Sequence, residues 1–85
     1  MITQKYENSA SFADLSGPYA YVVHTVNRFR LASDTVVHAD SASEVLEHAL
    51  KMGYVRVDVA PATPVNGVYA GEPVKAGDTA TNYPV

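Results

Sequence analysis

The chain has 85 residues, no cysteine and a formal net charge of −3. This length supports a single domain, and the lack of cysteine excludes disulfides and thiolate metal sites. The basic residues are scattered and no apolar run approaches the roughly 18 residues of a membrane span, so neither nucleic acid as the main partner nor a membrane is expected.

Residues 1–18 form the first segment, and they are mostly polar. They end in Ser16-Gly17-Pro18, which is typical of a turn. Phe12 and Leu15 are three residues apart, a spacing that favours one short helical turn. The residues before this turn contain no apolar run, so no secretory signal peptide is expected. The pattern predicts an N-terminal arm.

Residues 19–26 are rich in aromatic and β-branched side chains, which predicts a strand that is apolar on both faces. Asn27 interrupts the run, and residues 28–32 resume it. A two-residue hairpin at Asn27 would lack its usual glycine, so the sequence favours one long bent strand that turns at Ser33-Asp34. A hairpin around Asn27 is the alternative. Residues 35–38 predict a further short strand.

The segment after Asp40 predicts one amphipathic helix. Ser41 and Glu44 have the spacing of a capping box, and Gly53 is suited to the left-handed conformation that ends a helix. The predicted apolar stripe consists of Ala42, Val45, Leu46, Ala49 and Leu50. The side chains predicted to face water are Glu44, Glu47, His48 and Lys51.

Residues 54–60 alternate as a strand does, and Val55, Val57 and Val59 are expected to pack on the helix. A helix joins this strand to the one before it, so the two strands should be parallel or separated by another strand. The predicted fold is a small α+β domain, residues 19–60, with a three- to four-stranded sheet and one helix on one face. Extended N- and C-terminal arms flank this core.

Residues 61–85 are rich in proline, glycine and threonine, a composition that buries little surface by itself. Val65–Tyr69 and Val74 are candidates for short edge strands. We therefore expect an extended C-terminal arm that is ordered largely by contacts with another chain. On this interpretation, residues 19–60 would stay folded without the arm.

No motif for catalysis or for a cofactor is present in the sequence. Glu44 and His48 have the i and i+4 spacing of helical metal ligands, but no third ligand is placed by spacing. Asp40 and Asp58 fit a helix start and a solvent-facing strand position better than an acid–base pair. The sequence predicts a protein that is not an enzyme and binds no cofactor or metal.

The remaining signal is a set of side chains suited to protein contacts, in strands and arms. The candidate interface residues are Tyr6, Tyr19, Tyr21, Tyr69, Val74 and Tyr83. The predicted function is a non-enzymatic interaction or structural subunit of a larger assembly, for example a virion decoration or cement protein, located in the cytoplasm or on a virion. Its partners would be assembly neighbours or further copies of itself.

Two alternatives stay open at this point. One is a small phage-type inhibitor that binds a host protein. The other is a nucleic-acid-binding module that stacks bases on a strand platform. The platform would consist of Tyr19, Tyr21, Phe29, Arg28 and Arg30.

Overall fold

The computed structural model describes residues 8–62 and 73–82. A four-stranded antiparallel sheet in the order β2-β1-β3-β4 carries one helix on one face. A short 3-10 helix precedes the first strand. These features confirm the predicted small α+β fold. The elements are the 3-10 helix Ala10–Phe12, β1 Tyr19–Val26, β2 Ala32–Ala39, α1 Ala42–Lys51, β3 Arg56–Pro61 and β4 Ala80–Thr81.

The first two strands form a hairpin around Asn27, so the expectation of one long bent strand was wrong. β1 and β2 pair antiparallel from Tyr19 opposite Ala39 to Val26 opposite Ala32. The five residues between them are a loop, and Ser33 and Asp34 lie inside β2 rather than in a turn. The loop needs no glycine because Arg30 takes the left-handed conformation itself, with φ of 66°.

The helix begins and ends where the sequence predicts. The Ser41 hydroxyl accepts a hydrogen bond from the Glu44 amide at 3.3 Å, and Gly53 has a positive φ of 96° just after the helix. β2 and β3, which α1 connects, both pair antiparallel with β1 and lie on either side of it. They are therefore parallel to each other and separated by one strand, as expected.

The core lies between α1 and one face of the sheet, and only part of the predicted helix stripe contributes to it. Val45 and Ala49 are buried and Leu46 packs against them, whereas Leu50 is exposed. Val55 is exposed as well, because β3 begins one residue later. The fully buried larger side chains are Phe12, Tyr21, Val23, Val37, Val45, Val57 and Val59.

The end of the predicted N-terminal arm is part of this core. Phe12 is 2% exposed, and its ring lies 5.7 Å from that of His48 and 6.3 Å from that of Tyr54. The Nε2 of His48 donates to the carbonyl oxygen of Ser11 at 2.7 Å. His48 therefore faces the N-terminal segment, and the prediction that it faces water was wrong. Helical periodicity could not anticipate a neighbour from 37 residues away.

Part of the predicted C-terminal arm also packs on the domain. β4 pairs with β3, and Ala80 packs against the core. The Asn82 side chain accepts from the Val57 amide at 2.8 Å and donates to the Val55 carbonyl at 3.1 Å. Residues 73–82 thus add a strand to the sheet of their own chain. The predicted strand Val65–Tyr69 lies outside the described residues.

Candidate functional site

Exposed apolar side chains collect at one end of the molecule. Six large hydrophobic side chains are exposed in the part of the chain that the structure describes, and Val36 alone lies in the middle of a strand. The other five lie in residues 26–32 and 50–56, which we name the apolar–basic end. Their exposed fractions are 76% for Phe29, 66% for Leu31, 56% for Val55, 52% for Met52 and 42% for Leu50.

These two segments are neighbours in space although they are about 20 residues apart in sequence. The amide of Val55 donates to the carbonyl of Val26 at 2.9 Å, which ties the helix–strand link to the end of β1. A Cβ added at Gly53 would lie 3.5 Å from the guanidinium of Arg28. The hairpin loop and the C-terminal end of α1 therefore form one continuous surface.

The hairpin loop that carries Phe29 is fixed by hydrogen bonds rather than by packing. The Asn27 side-chain oxygen accepts from the amides of Phe29 and Leu31, at 2.8 and 3.0 Å. The Asn27 amide donates to the Leu31 carbonyl, and the Arg30 amide donates to the Asn27 carbonyl, both at 3.0 Å. The positive φ of Arg30 is a strained conformation that such contacts maintain, and strain of this kind concentrates at functional sites.

The same end carries a concentrated positive charge. Its two segments contain four basic residues and no Asp or Glu, which is a formal charge of +4. Because the whole chain has a net charge of −3, all other residues together carry −7. The fold therefore brings four of the six basic residues of the chain to this end. The four are Arg28, Arg30, Lys51 and Arg56.

The predicted interface residues occupy other places. Tyr19 is half-buried at the opposite end of β1, with the Lys75 ammonium 5.5 Å from its ring centre, and Val74 is half-buried nearby in sequence. Tyr21 is fully buried, so its ring has no surface for a partner. Asn82 bonds to Val55, which belongs to the apolar–basic end. Tyr6, Tyr69 and Tyr83 lie outside the described residues.

The structure does not assemble the strand platform proposed for nucleic-acid bases. Tyr19 pairs with Ala39 at the far end of β1 from the loop that carries Arg28 and Arg30. Tyr21 points into the core. The two tyrosines of that set are therefore separated from Phe29 and the two arginines, which lie in the hairpin loop.

A cluster of polar groups joins residues 73–82 to the core. The hydroxyl of Tyr21 donates to the Asp78 carboxylate at 2.7 Å, and the amide of Ala42 donates to the same oxygen at 2.9 Å. Burial, followed by the hydrogen bond to Asp78, raises the pKa of Tyr21. The Tyr21 and Ala42 bonds lower the pKa of Asp78 below its ordinary 3.8. Because the ring of Tyr21 is inaccessible, this cluster is a structural clamp.

The clamp gives a pH dependence of stability. The folded-state pKa of Asp78 is depressed, so its contribution is fully present above pH 3.8 and is lost as the pH falls through the lower folded value. Asp78→Asn keeps an acceptor oxygen but cannot titrate. We expect urea unfolding to show wild type losing more stability than Asp78→Asn below pH 3.8. Parallel acid profiles for the two proteins would contradict the clamp.

The candidate metal pair has no support from the geometry. In residues 8–62 and 73–82, no group of three or more His, Asp or Glu side chains is arranged to hold a metal ion. The Nε2 of His48 is already bonded to the Ser11 carbonyl.

The helix in the described ranges is too short and too polar to cross a membrane. The absence of enzymatic activity stays a prediction.

Comparisons with known proteins add no assignment. No protein-family model matches the chain, and neither a curated protein nor a solved structure shows significant similarity to it. The functional argument therefore depends on the apolar–basic end itself.

Proposed function

We propose that this chain is a non-enzymatic interaction subunit of a larger assembly and that it docks through the apolar–basic end. A virion decoration or cement protein is one form that such a subunit takes. The observation that carries the proposal is the clustering of five exposed hydrophobic side chains on one preorganised surface. A contiguous exposed apolar patch marks an interaction site. Single exposed apolar residues, by contrast, are scattered over ordinary protein surfaces.

The composition of this end supports a protein partner. Phenylalanine, methionine and arginine are enriched at protein interfaces, and all three are present here. Phe29 is presented on a loop whose backbone is already fixed by Asn27, so little conformational entropy remains to be lost on binding. An exposed aromatic side chain in a fixed loop has the properties of an interface anchor.

The charge of this end adds selectivity. A local charge of +4 on a chain with a net charge of −3 favours approach by acidic surfaces and disfavours basic ones. An inhibitor of one host protein would use the same surface. The mass of the cross-linked partner distinguishes an assembly subunit from such an inhibitor.

Site-specific photo-cross-linking tests the proposal. A benzoylphenylalanine residue would replace Phe29 in cells that produce the chain, and a matched control would carry it in place of Glu47, which is exposed on α1. We expect discrete higher-mass adducts from position 29 and none from position 47, because only position 29 lies in the docking surface. A lack of adducts from position 29, or the same adducts from both positions, would contradict the proposal.

A further inference from the structure

Within the part of the chain that the structure describes, β2 forms a long open edge of the sheet. The strand order places β2 and β4 at the two edges. β4 has two residues, whereas β2 has eight, and its register with β1 runs without a break from Ala39 to Ala32. Proteins usually shorten, bulge or charge such an edge, because its free main-chain groups are a template for another strand. β2 is neither short nor bulged, and its one carboxylate, that of Asp34, is held by His24 at 2.6 Å.

Alternate residues of β2 turn their main-chain groups outward, away from β1. The carbonyls of Ala20 and Val26 accept hydrogen bonds from the amides of Ala62 and Val55, on the β3 side of β1. The even-numbered residues of β1 therefore bond toward β3, and its odd-numbered residues bond to β2. Because odd-numbered residues of β1 are in register with odd-numbered residues of β2, the outward groups of β2 belong to its even-numbered residues. These are Ala32, Asp34, Val36 and His38.

The last of these positions shows an amide already bound to the edge. The side-chain oxygen of Asn8 accepts from the amide of His38 at 2.8 Å, and the side-chain nitrogen donates to the His38 carbonyl at 3.0 Å. The carboxamide thus satisfies the two groups that a neighbouring strand would satisfy. Among the described residues, no group bonds to the outward amides and carbonyls of Ala32, Asp34 and Val36. Residues 32–36 are therefore the open stretch of this edge.

We propose that the open stretch of β2 binds an extended segment of the protein partner, which adds a strand to the sheet. Main-chain donors and acceptors that recur about every 7 Å along an edge match an extended polypeptide. Val36, whose side chain is 38% exposed in the middle of β2, would pack against the neighbouring side chain of the added strand. This inference rests on the proposed function and states what kind of segment the partner supplies.

The open stretch is continuous with the apolar–basic end. Ala32 belongs to both, and Phe29 and Leu31 lie just before it in the chain. A strand that continues past Ala32 therefore reaches the hairpin loop. The exposed guanidinium groups of Arg28 and Arg30 favour carboxylates at that end of the bound segment.

A second copy of β2 fits the same edge less well. Because Asn8 occupies the groups of His38, two copies can pair antiparallel over the whole open stretch only when Asp34 lies opposite its equivalent in the other copy. Carboxylates directly opposite each other destabilise a strand pair. A segment of different sequence avoids this repulsion.

Peptide binding followed by amide hydrogen exchange in NMR tests the inference. The probes are two blocked peptides of alternating valine and threonine, one with a glutamate pair at its N-terminal end and one with the pair at its C-terminal end. We expect the tighter peptide, at saturation, to slow exchange of the Asp34 and Val36 amides by about tenfold or more. The amides of Thr35 and Val37 should change little, because they are already bonded to β1. The end at which glutamate strengthens binding gives the direction of the added strand.

Controls separate strand addition from adhesion to an apolar surface. A peptide with the same side chains and N-methylated amides lacks the donors, so it should not protect the Asp34 and Val36 amides. Val36→Pro removes an outward donor and leaves the bonds to β1, so it should weaken binding of the unmethylated peptide about tenfold. Val36→Thr keeps that donor and should bind as wild type does. Circular dichroism would verify that both variants are folded.

The outcomes separate this inference from the proposed function. Protection of neither amide by either peptide, or equal protection by the N-methylated peptide, would overturn the inference. Protection that appears in the protein alone and rises with its concentration would also overturn it, in favour of pairing between two copies. In each case the cross-linking from position 29 still decides the proposed function, because that experiment does not depend on β2.

Discussion

A chain truncated after Ala62 is expected to lose a large part of its folding stability. Residues 73–82 make six hydrogen bonds with residues 20–57, and four of them do not involve Asp78. These four alone contribute roughly 2–6 kcal/mol, at about 0.5–1.5 kcal/mol each. A domain of this size has a total stability of about 4–13 kcal/mol, so the loss is a large fraction of it. This reverses the expectation that residues 19–60 fold without the C-terminal segment.

Chemical denaturation of the truncated and the full-length chain, followed by circular dichroism, measures this effect. Full-length Asn82→Ala is the matched control, since it removes the side-chain bonds to Val57 and Val55 and leaves the remaining contacts in place. We expect the control to lie between the other two proteins. A truncated chain as stable as the full chain would show that residues 73–82 add nothing to the fold.

Phe12→Ala is the point substitution with the largest expected effect. The side chain of Phe12 is 2% exposed and packs against His48 and Tyr54. Truncating a buried phenylalanine costs about 3–5 kcal/mol, through lost burial and the cavity that remains. The substitution should also weaken the packing of the N-terminal segment on α1, where the bond between Ser11 and His48 remains.

Thermal or urea unfolding of Phe12→Ala gives the measurement, and Leu31→Ala provides a control of similar apolar character. Leu31 is 66% exposed, so its truncation should change the free energy of unfolding by about 0.5 kcal/mol or less. Equal effects of the two substitutions would contradict the assignment of Phe12 to the core.

The helix was predictable from sequence because its signals are local. Ser41 supplies a hydroxyl to the Glu44 amide, and Gly53 adopts the left-handed conformation that follows the last turn. The hairpin was missed because the expected turn glycine is replaced by Arg30, which the side chain of Asn27 helps to hold. A polar side chain that organises a five-residue loop leaves little trace in hydrophobic periodicity.

The contacts of the terminal segments were not predictable from the sequence, because their partners are distant along the chain. Composition predicts that residues 61–85 form no core of their own, but it cannot reveal that Asp78 and Asn82 bond to the strands and helix of the same chain. His48 was assigned to the solvent for the same reason, since its partner Ser11 is distant in sequence.

The candidate site was only partly visible in the sequence. Residues 26–32 and 50–56 each combine apolar and basic side chains without an acidic residue, and this combination was the available signal. Neither segment stands out alone. Their significance comes from the bond between Val55 and Val26, which joins them into one surface.

If Phe29 is exposed for docking, as we propose, its side chain contributes nothing to the fold of its own chain. The free energy of unfolding of Phe29→Ser, measured against wild type under dilute conditions, tests it most directly. Because the side chain is 76% exposed, we predict a change within about 0.5 kcal/mol. A loss of about 2 kcal/mol or more would show that Phe29 is packed within its own chain and would contradict the account.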